Sequence, residues 1–265
     1  MDITVDGKRA FAATGGQPFQ AGKPTVVFVH GGGLDHTVWA LQTRYFAYHG
    51  RNVLALDLPG HGKSEGPALE TISAMADWVM RLLDALEVEK AALVGHSMGS
   101  LVAFDAAARY ATRATALALL GTSIPMPVAA PLLSAAEADK HAAFDMVTLW
   151  GHSRDGQVGS NRAPGLWMTG EAVRLLERSP PGVLYASLKA CNDYTDGLSL
   201  AGKITCPTVL VLGDRDAMTP VKAGKLVAEA IAGARMVVLK GCGHMMMAEQ
   251  PDQVLDALIG QIQGT

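Results

Sequence analysis

Short β-branched runs that end in glycine or aspartate alternate with helical patterns along most of the chain. Strands of this kind are apolar on both faces, so helices must return over the sheet between them. The pattern therefore predicts a mostly parallel sheet, flanked by helices and built from βαβ crossovers. The clearest runs are Thr25–His30, Asn52–Asp57 and Ala91–Gly95, followed by Ala116–Leu120, Thr208–Leu212 and Met236–Leu239. Ile72, Met75, Val79, Leu82 and Leu86 recur at helical spacing, which predicts an amphipathic helix with Thr71 as its cap. After Ser97, the run through Leu101, Phe104 and Ala108 predicts an alanine-rich helix that can lie close against the sheet. Further helices are expected over Val221–Ile231 and from Pro251 onward, the last burying Val254, Leu255, Leu258 and Ile262.

The alternation stops between Ile124 and Lys203, where prolines at 125, 127 and 131 open a stretch without strand-like runs. Helices are expected there over Ser134–Trp150, Glu171–Arg178 and Gly182–Ala190, with a polar loop over Gly151–Gly165. The expected organisation is an α/β core of residues 1–123 and 204–265, with a helical cap, 124–203, inserted after the strand at 116–120. A chain of 265 residues suffices for one such core and one modest insertion.

Composition narrows the partners. With a net charge of −3 and 18% charged residues, nothing marks nucleic acid or an anionic membrane as a partner. The N-terminal stretch lacks the basic start and apolar core of a secretory signal, and no transmembrane segment is expected, so the reading is cytoplasmic. Cys191, Cys206 and Cys242 have no metal-ligand spacing and read as small packing residues. The sequence does not set the oligomeric state.

The chemistry centres on Gly95-His96-Ser97-Met98-Gly99, which joins a strand to a helix. In that context the two glycines permit a strained turn that lifts the serine, and the N–H groups of the new helix favour a developing oxyanion. Read alone, the pentapeptide is equally a glycine-flanked turn whose serine caps a helix. Four further segments stand along the chain, two before this one and two after it. They are His30-Gly31-Gly32-Gly33, Leu56-Asp57-Leu58-Pro59-Gly60-His61-Gly62-Lys63-Ser64, Gly213-Asp214-Arg215-Asp216-Ala217-Met218-Thr219-Pro220 and Gly241-Cys242-Gly243-His244. A nucleotide-binding unit competes for the first, but the third glycine of that fingerprint would fall on His36. In the second, His61 reads as a turn residue rather than a base.

With these segments, over essentially its whole length, the chain resembles the α/β-hydrolase family. The resemblance implies Ser97 as nucleophile, His244 as base and Asp216 as the acid, leaving Asp214 as a turn or pairing residue. Of the eight histidines only His244 follows both Ser97 and Asp216, the chain order this fold requires. Gly32 and Met98 would supply the oxyanion hole through their backbone N–H groups.

The implied activity is hydrolysis of carboxylic esters or lactones of small, largely apolar molecules through an acyl-enzyme, without cofactor or metal. Trp150, Trp167, Met146, Met168, Met218 and Met245 are candidates for an apolar substrate pocket, or else for the cap's own small core. Alternatives are a cofactor-free perhydrolase, a carbon–carbon bond hydrolase with the same triad, and a small-ligand receptor that retains the triad pocket. The stretch Leu34-Asp35-His36-Thr37-Val38-Trp39 departs from the Gly-Pro-Gly-Ala and asparagine typical of carbon–carbon bond hydrolases.

Overall fold

A computed structural model describes residues 1–159 and 165–262. Among them eight strands form one sheet: β1 (Asp2–Val5), β2 (Lys8–Ala13), β3 (Thr25–Val29), β4 (Asn52–Asp57), β5 (Ala91–His96), β6 (Ala114–Leu120), β7 (Thr208–Gly213) and β8 (Arg235–Leu239). Their spatial order is β1-β2-β4-β3-β5-β6-β7-β8. The pairs from β4 through β8 are parallel, as expected, while β1–β2 and β2–β4 are antiparallel. The N-terminal hairpin is an addition to the expected strands. Asp6 and Gly7 close it with φ of 52° and 76°, the doubly positive geometry of a tight hairpin turn.

Side chains along the parallel strands divide between two apolar layers, as period-two alternation requires. Val27, Val29, Leu93, Leu117, Leu119, Leu210 and Leu212 face one layer, whereas Val26, Phe28, Val94, Leu120, Val209 and Val211 face the other. The first layer is covered by α2 (Ile72–Ala85), α3 (Met98–Arg109) and α9 (Val221–Ala230). The second is covered by α1 (Ala40–Tyr48), α10 (Met246–Glu249) and α11 (Pro251–Ile262). Thr71 caps α2 by accepting the N–H of Ala74 at 3.1 Å, which contributes about 1 kcal/mol.

Between β6 and β7 the described residues contain no strand. They form α4 (Ala130–Glu137), α5 (Ala142–Gly151), α6 (Arg154–Gln157), α7 (Met168–Glu177) and α8 (Val183–Asp193). Leu132, Ala136, Ala143, Leu175, Leu176, Leu184 and Leu188 make a separate apolar cluster that reaches the sheet domain through Leu34. Two expectations need correction. The single helix over Ser134–Trp150 is two, α4 and α5, because Asp139 turns the chain with a φ of 46°. The polar loop over Gly151–Gly165 contains α6, started by the Ser153 hydroxyl accepting the N–H of Gly156, and its residues 160–164 lie outside those described. No helix among the described residues is long and apolar enough to cross a membrane.

Candidate active site

Ser97 sits between β5 and α3 with φ 54° and ψ −120°, a conformation that a non-glycine residue holds only when its surroundings force it. Both flanking glycines permit the close packing that holds it. A Cβ at Gly95 would strike the carbonyl of Gly99, and one at Gly99 would strike the carbonyl of Val29 on the neighbouring strand. The Ser97 N–H is tied to the Leu120 carbonyl at 2.9 Å, which anchors the turn to β6. Met98 opens α3, so its N–H lies in the first turn, where a helix has no carbonyl of its own to offer. Gly32 lies close by, since a Cβ built on it would come within 3.9 Å of Met98 Sδ and 2.9 Å of Ser187 Cβ on α8.

His244 and Asp216 come together from the loops after β8 and β7. His244 Nδ1 donates to Asp216 Oδ2 at 2.7 Å, and both side chains are buried. Asp216 is held from every side. Its Oδ1 accepts the N–H groups of Met218 and Thr219, each at 2.8 Å, and its Oδ2 accepts the Thr219 hydroxyl at 2.7 Å. Burial alone would raise the Asp216 pKa. The charge of His244 and the hydrogen bonds from His244 and Thr219 outweigh it, so the pKa lies below the ordinary aspartate value. Asp214 instead accepts the N–H of Gly241 at 2.6 Å and shapes the turn. His244 Nε2 is buried and has no hydrogen-bond partner among the described residues.

The space around this pair is made by residues that sequence reasoning passed over. Gly121, with φ 55°, follows β6, and a Cβ on it would press to 2.9 Å from His244 Nδ1. Thr219 was visible only as part of the acid's loop, yet its hydroxyl touches both members of the pair, lying 3.2 Å from His244 Nδ1. The glycine directly after a strand is the signal that could have marked Gly121.

Ser97, Met98, Gly32, Thr219 and His244 line one cavity of about 140 Å³. Its remaining walls are largely apolar and include Leu34, Met126, Val128, Leu132, Val147 and Leu188. Of the expected pocket residues, Trp150, Met218 and Met245 line it. The other three do not. Met146 packs into the separate helical cluster, and Met168 is buried at the start of α7, beside Gly156 on α6. Trp167 is 72% exposed on the outer surface, over Gly170. Cys191 also lines the cavity, but burial pushes its thiol up to about 12, so it serves as apolar wall rather than thiolate.

Three buried histidines surround the site as neutral groups. His96, between Gly95 and Ser97, bonds through Nε2 to the His244 carbonyl at 2.9 Å, and burial reinforced by His244 lowers its pKa to about 3. His30 bonds to the Gly31 carbonyl through Nδ1 and accepts the Leu58 N–H through Nε2. His61 bridges the Pro59 carbonyl and the Ser187 hydroxyl, joining the turn after β4 to α8, as befits a positioned turn residue. One Asp–His group, Asp35, His36 and Asp57, is compact enough for a metal. Its carboxylates, however, already accept N–H or hydroxyl donors from His36, Thr37 and Lys63.

An open, mostly parallel sheet that brings a strained serine to one cavity with an aspartate-bound histidine is the architecture of α/β hydrolases. The profile of the alpha/beta hydrolase family matches residues 26–257. The chain is 31% identical over 246 residues to a pimeloyl-[acyl-carrier protein] methyl ester esterase of Aromatoleum aromaticum, covering 87% of this chain and 94% of that protein. It is 32% identical over 250 residues to the protein of that name from Chromobacterium violaceum, covering 89% and 92%. The enol-lactonase from Burkholderia xenovorans superposes with a TM-score of 0.87 at 25% identity, over 98% of both chains. The chain belongs to the alpha/beta hydrolase family.

Proposed function

We propose that this protein is a serine hydrolase that cleaves carboxylic esters or lactones of small, uncharged, largely apolar molecules through an acyl-enzyme. The observation that carries the reading is the meeting of Ser97 and the His244–Asp216 pair at one apolar cavity. A serine hydroxyl becomes an effective nucleophile when a base takes its proton during attack. His244 Nε2, unpartnered among the described residues and backed by Asp216 at Nδ1, is the base. Ser97 Oγ adds to the carbonyl carbon and its proton passes to Nε2, while the oxyanion receives the N–H groups of Gly32 and Met98. Collapse returns that proton to the leaving alcohol, and water repeats the sequence to release the acid and free Ser97.

The cavity supports this substrate class. At about 140 Å³ it suits a group of about benzene size, and among the described residues its lining has no Lys, Arg, Asp or Glu to pair with a charged substrate. That disfavours the carboxylate-bearing dienoates of carbon–carbon bond hydrolases, although one relative, 27% identical, is named 2-hydroxy-6-oxo-6-phenylhexa-2,4-dienoate hydrolase. Two relatives named as methyl ester esterases and a structural neighbour titled an enol-lactonase support ester or lactone chemistry. The helical stretch 124–203 acts as a cap in this reading, since Met126, Leu132, Trp150 and Leu188 supply much of the cavity wall.

The test is a panel of p-nitrophenyl esters of increasing acyl length together with simple lactones. Short neutral esters should turn over, and Ser97→Ala should lower kcat by at least about 10⁴-fold. Peroxide-dependent halogenation exceeding hydrolysis would favour a perhydrolase. Binding of an apolar ligand without any turnover would favour a receptor.

A further inference from the structure

Glu249, at the end of α10, is a carboxylate only 6% exposed that the reaction as derived does not use. Its Oε2 accepts the N–H of Gly243, the residue before His244, at 3.1 Å. Its Oε1 accepts the N–H of Ser153, between α5 and α6, also at 3.1 Å. On the other side of the histidine, the Met245 N–H donates to the Gly151 carbonyl at 2.8 Å. The backbone on both sides of His244 is thus fastened to one short stretch, Gly151 to Ser153. The histidine's own carbonyl is fixed by His96. Gly243 is required for this arrangement, because a Cβ there would collide with Ser153 N and Glu249 Oε1.

We propose that Glu249 is a positioning residue for His244, and that through it the stretch between α5 and α6 forms part of the mount that holds the base. The proposal rests on the serine-hydrolase reading for its kinetic consequence and on geometry alone for its structural one. Imidazole must present Nε2 to Ser97 while Nδ1 stays on Asp216. A small rotation of the 243–245 backbone lengthens both contacts, and a misplacement of about 1 Å at a reacting group costs roughly 100-fold in rate. A buried carboxylate with two N–H donors resists that rotation better than any neutral side chain of its size, since it accepts on both oxygens and donates on neither.

Two substitutions test this from opposite ends. Glu249→Gln keeps the shape but turns an amide NH₂ toward one of the two N–H groups. Ser153→Pro deletes the other donor at a position whose φ of −61° and extended predecessor already suit proline. Ser153→Ala, which retains the N–H, is its reference, and the difference between the two reports the loss of the hydrogen bond together with the displacement of the Glu249 carboxylate by the proline ring.

The expected result is a fall in kcat of about 10- to 100-fold for Glu249→Gln, with KM within about twofold. A smaller fall is expected for Ser153→Pro relative to Ser153→Ala. In a His244→Ala background neither change should alter the residual rate, because both act through that histidine. The far-downfield proton resonance of His244 Nδ1–H should broaden or shift in Glu249→Gln. This readout does not depend on turnover, so it decides the positioning role even if the wild type cleaves no ester. A lowered melting temperature with kcat within about threefold, an unchanged resonance, or an equal loss of rate without His244 would overturn the proposal. Should Glu249→Gln fail to fold, the Ser153 pair and its resonance carry the same decision.

Discussion

At the scale of single residues, Asp214 and Asp216 are two positions apart and chemically alike, yet they do different work. Asp214 accepts one N–H from a turn, whereas Asp216 is buried, accepts three donors besides the imidazole, and faces His244 at 2.7 Å. Asp216→Asn would place an amide where Nδ1–H needs an acceptor and would favour the wrong tautomer of His244. We therefore expect it to lower kcat about 10⁴-fold, against a change within about tenfold for Asp214→Asn. Steady-state kinetics on one ester decide it, and a reversed ranking would move the acid to Asp214. The sequence points to Asp216 through the family resemblance, in which the acid stands three residues after the glycine of its loop and four before the proline. Glu249, Thr219 and Ser187 were not legible. Their importance lies in which groups they meet across 96, 25 and 126 residues of chain, a backbone N–H for Glu249 and histidine rings for the other two, and no local pattern records that.

At the scale of elements, the parallel strands and their covering helices could be read because each buries a periodic apolar set. The N-terminal hairpin was readable too, since Asp6-Gly7 between two short runs is a strong turn signal. It was overshadowed because β2 is partly exposed and carries Lys8 and Arg9. The helices between β6 and β7 were the hardest. Their apolar residues divide between their own cluster and the cavity, and composition does not distinguish the two. That is why Met146, Met168 and Trp167 look like pocket residues in sequence, while Leu132, Val147 and Leu188 do not. Helix α5 shows what the sequence conceals. It ends in Gly151, a helical residue without positive φ, where glycine is about 1 kcal/mol worse than alanine. A Cβ there would touch Met245 Cγ at 3.4 Å and Met218 Sδ at 4.0 Å, ordinary contacts at the cavity wall. Alanine therefore fits and valine intrudes. Gly151→Ala should leave the fold intact, and Gly151→Val should shift the preferred acyl chain shorter by one or two carbons. Each excluded methylene should change kcat/KM about 10- to 100-fold. An unchanged acyl profile in Gly151→Val would mean that the acyl group lies elsewhere in the cavity.

At the scale of the whole molecule, the cluster of buried histidines makes stability depend on pH in a definite sense. His30 faces Asp57, Asp35 and His36; His61 faces His30 and Asp57; His96 faces His244, Asp216 and His30. Burial dominates all three despite the nearby carboxylates, lowering His30 and bringing His61 and His96 to about 3. Hydrogen bonding acts the same way on His30, because the N–H of Leu58 points at Nε2 and leaves no room for a second proton. Below about pH 6.5 the unfolded chain takes up protons on these imidazoles that the folded chain refuses, so folding stability falls as the pH falls toward 3. Asp57 and Asp216, whose folded pKa values are depressed, hold their contribution down to the ordinary aspartate range and lose it only below that. The exposed His141, raised by Glu177 and Asp145, acts in the opposite sense, but surface pairs of this kind count for little. Between pH 6 and 4 the histidines therefore set the slope, each by up to about 1.4 kcal/mol per pH unit. Against a total of about 5–15 kcal/mol, a drop from pH 7 to pH 5 should remove a large share of the stability. Urea unfolding at the two pH values should show a clearly lower midpoint at pH 5 with a similar denaturant slope, and His61→Asn should reduce the difference. Equal midpoints would mean that the folded protein protonates these histidines, and hence that water reaches the interior around His30, His61 and His96.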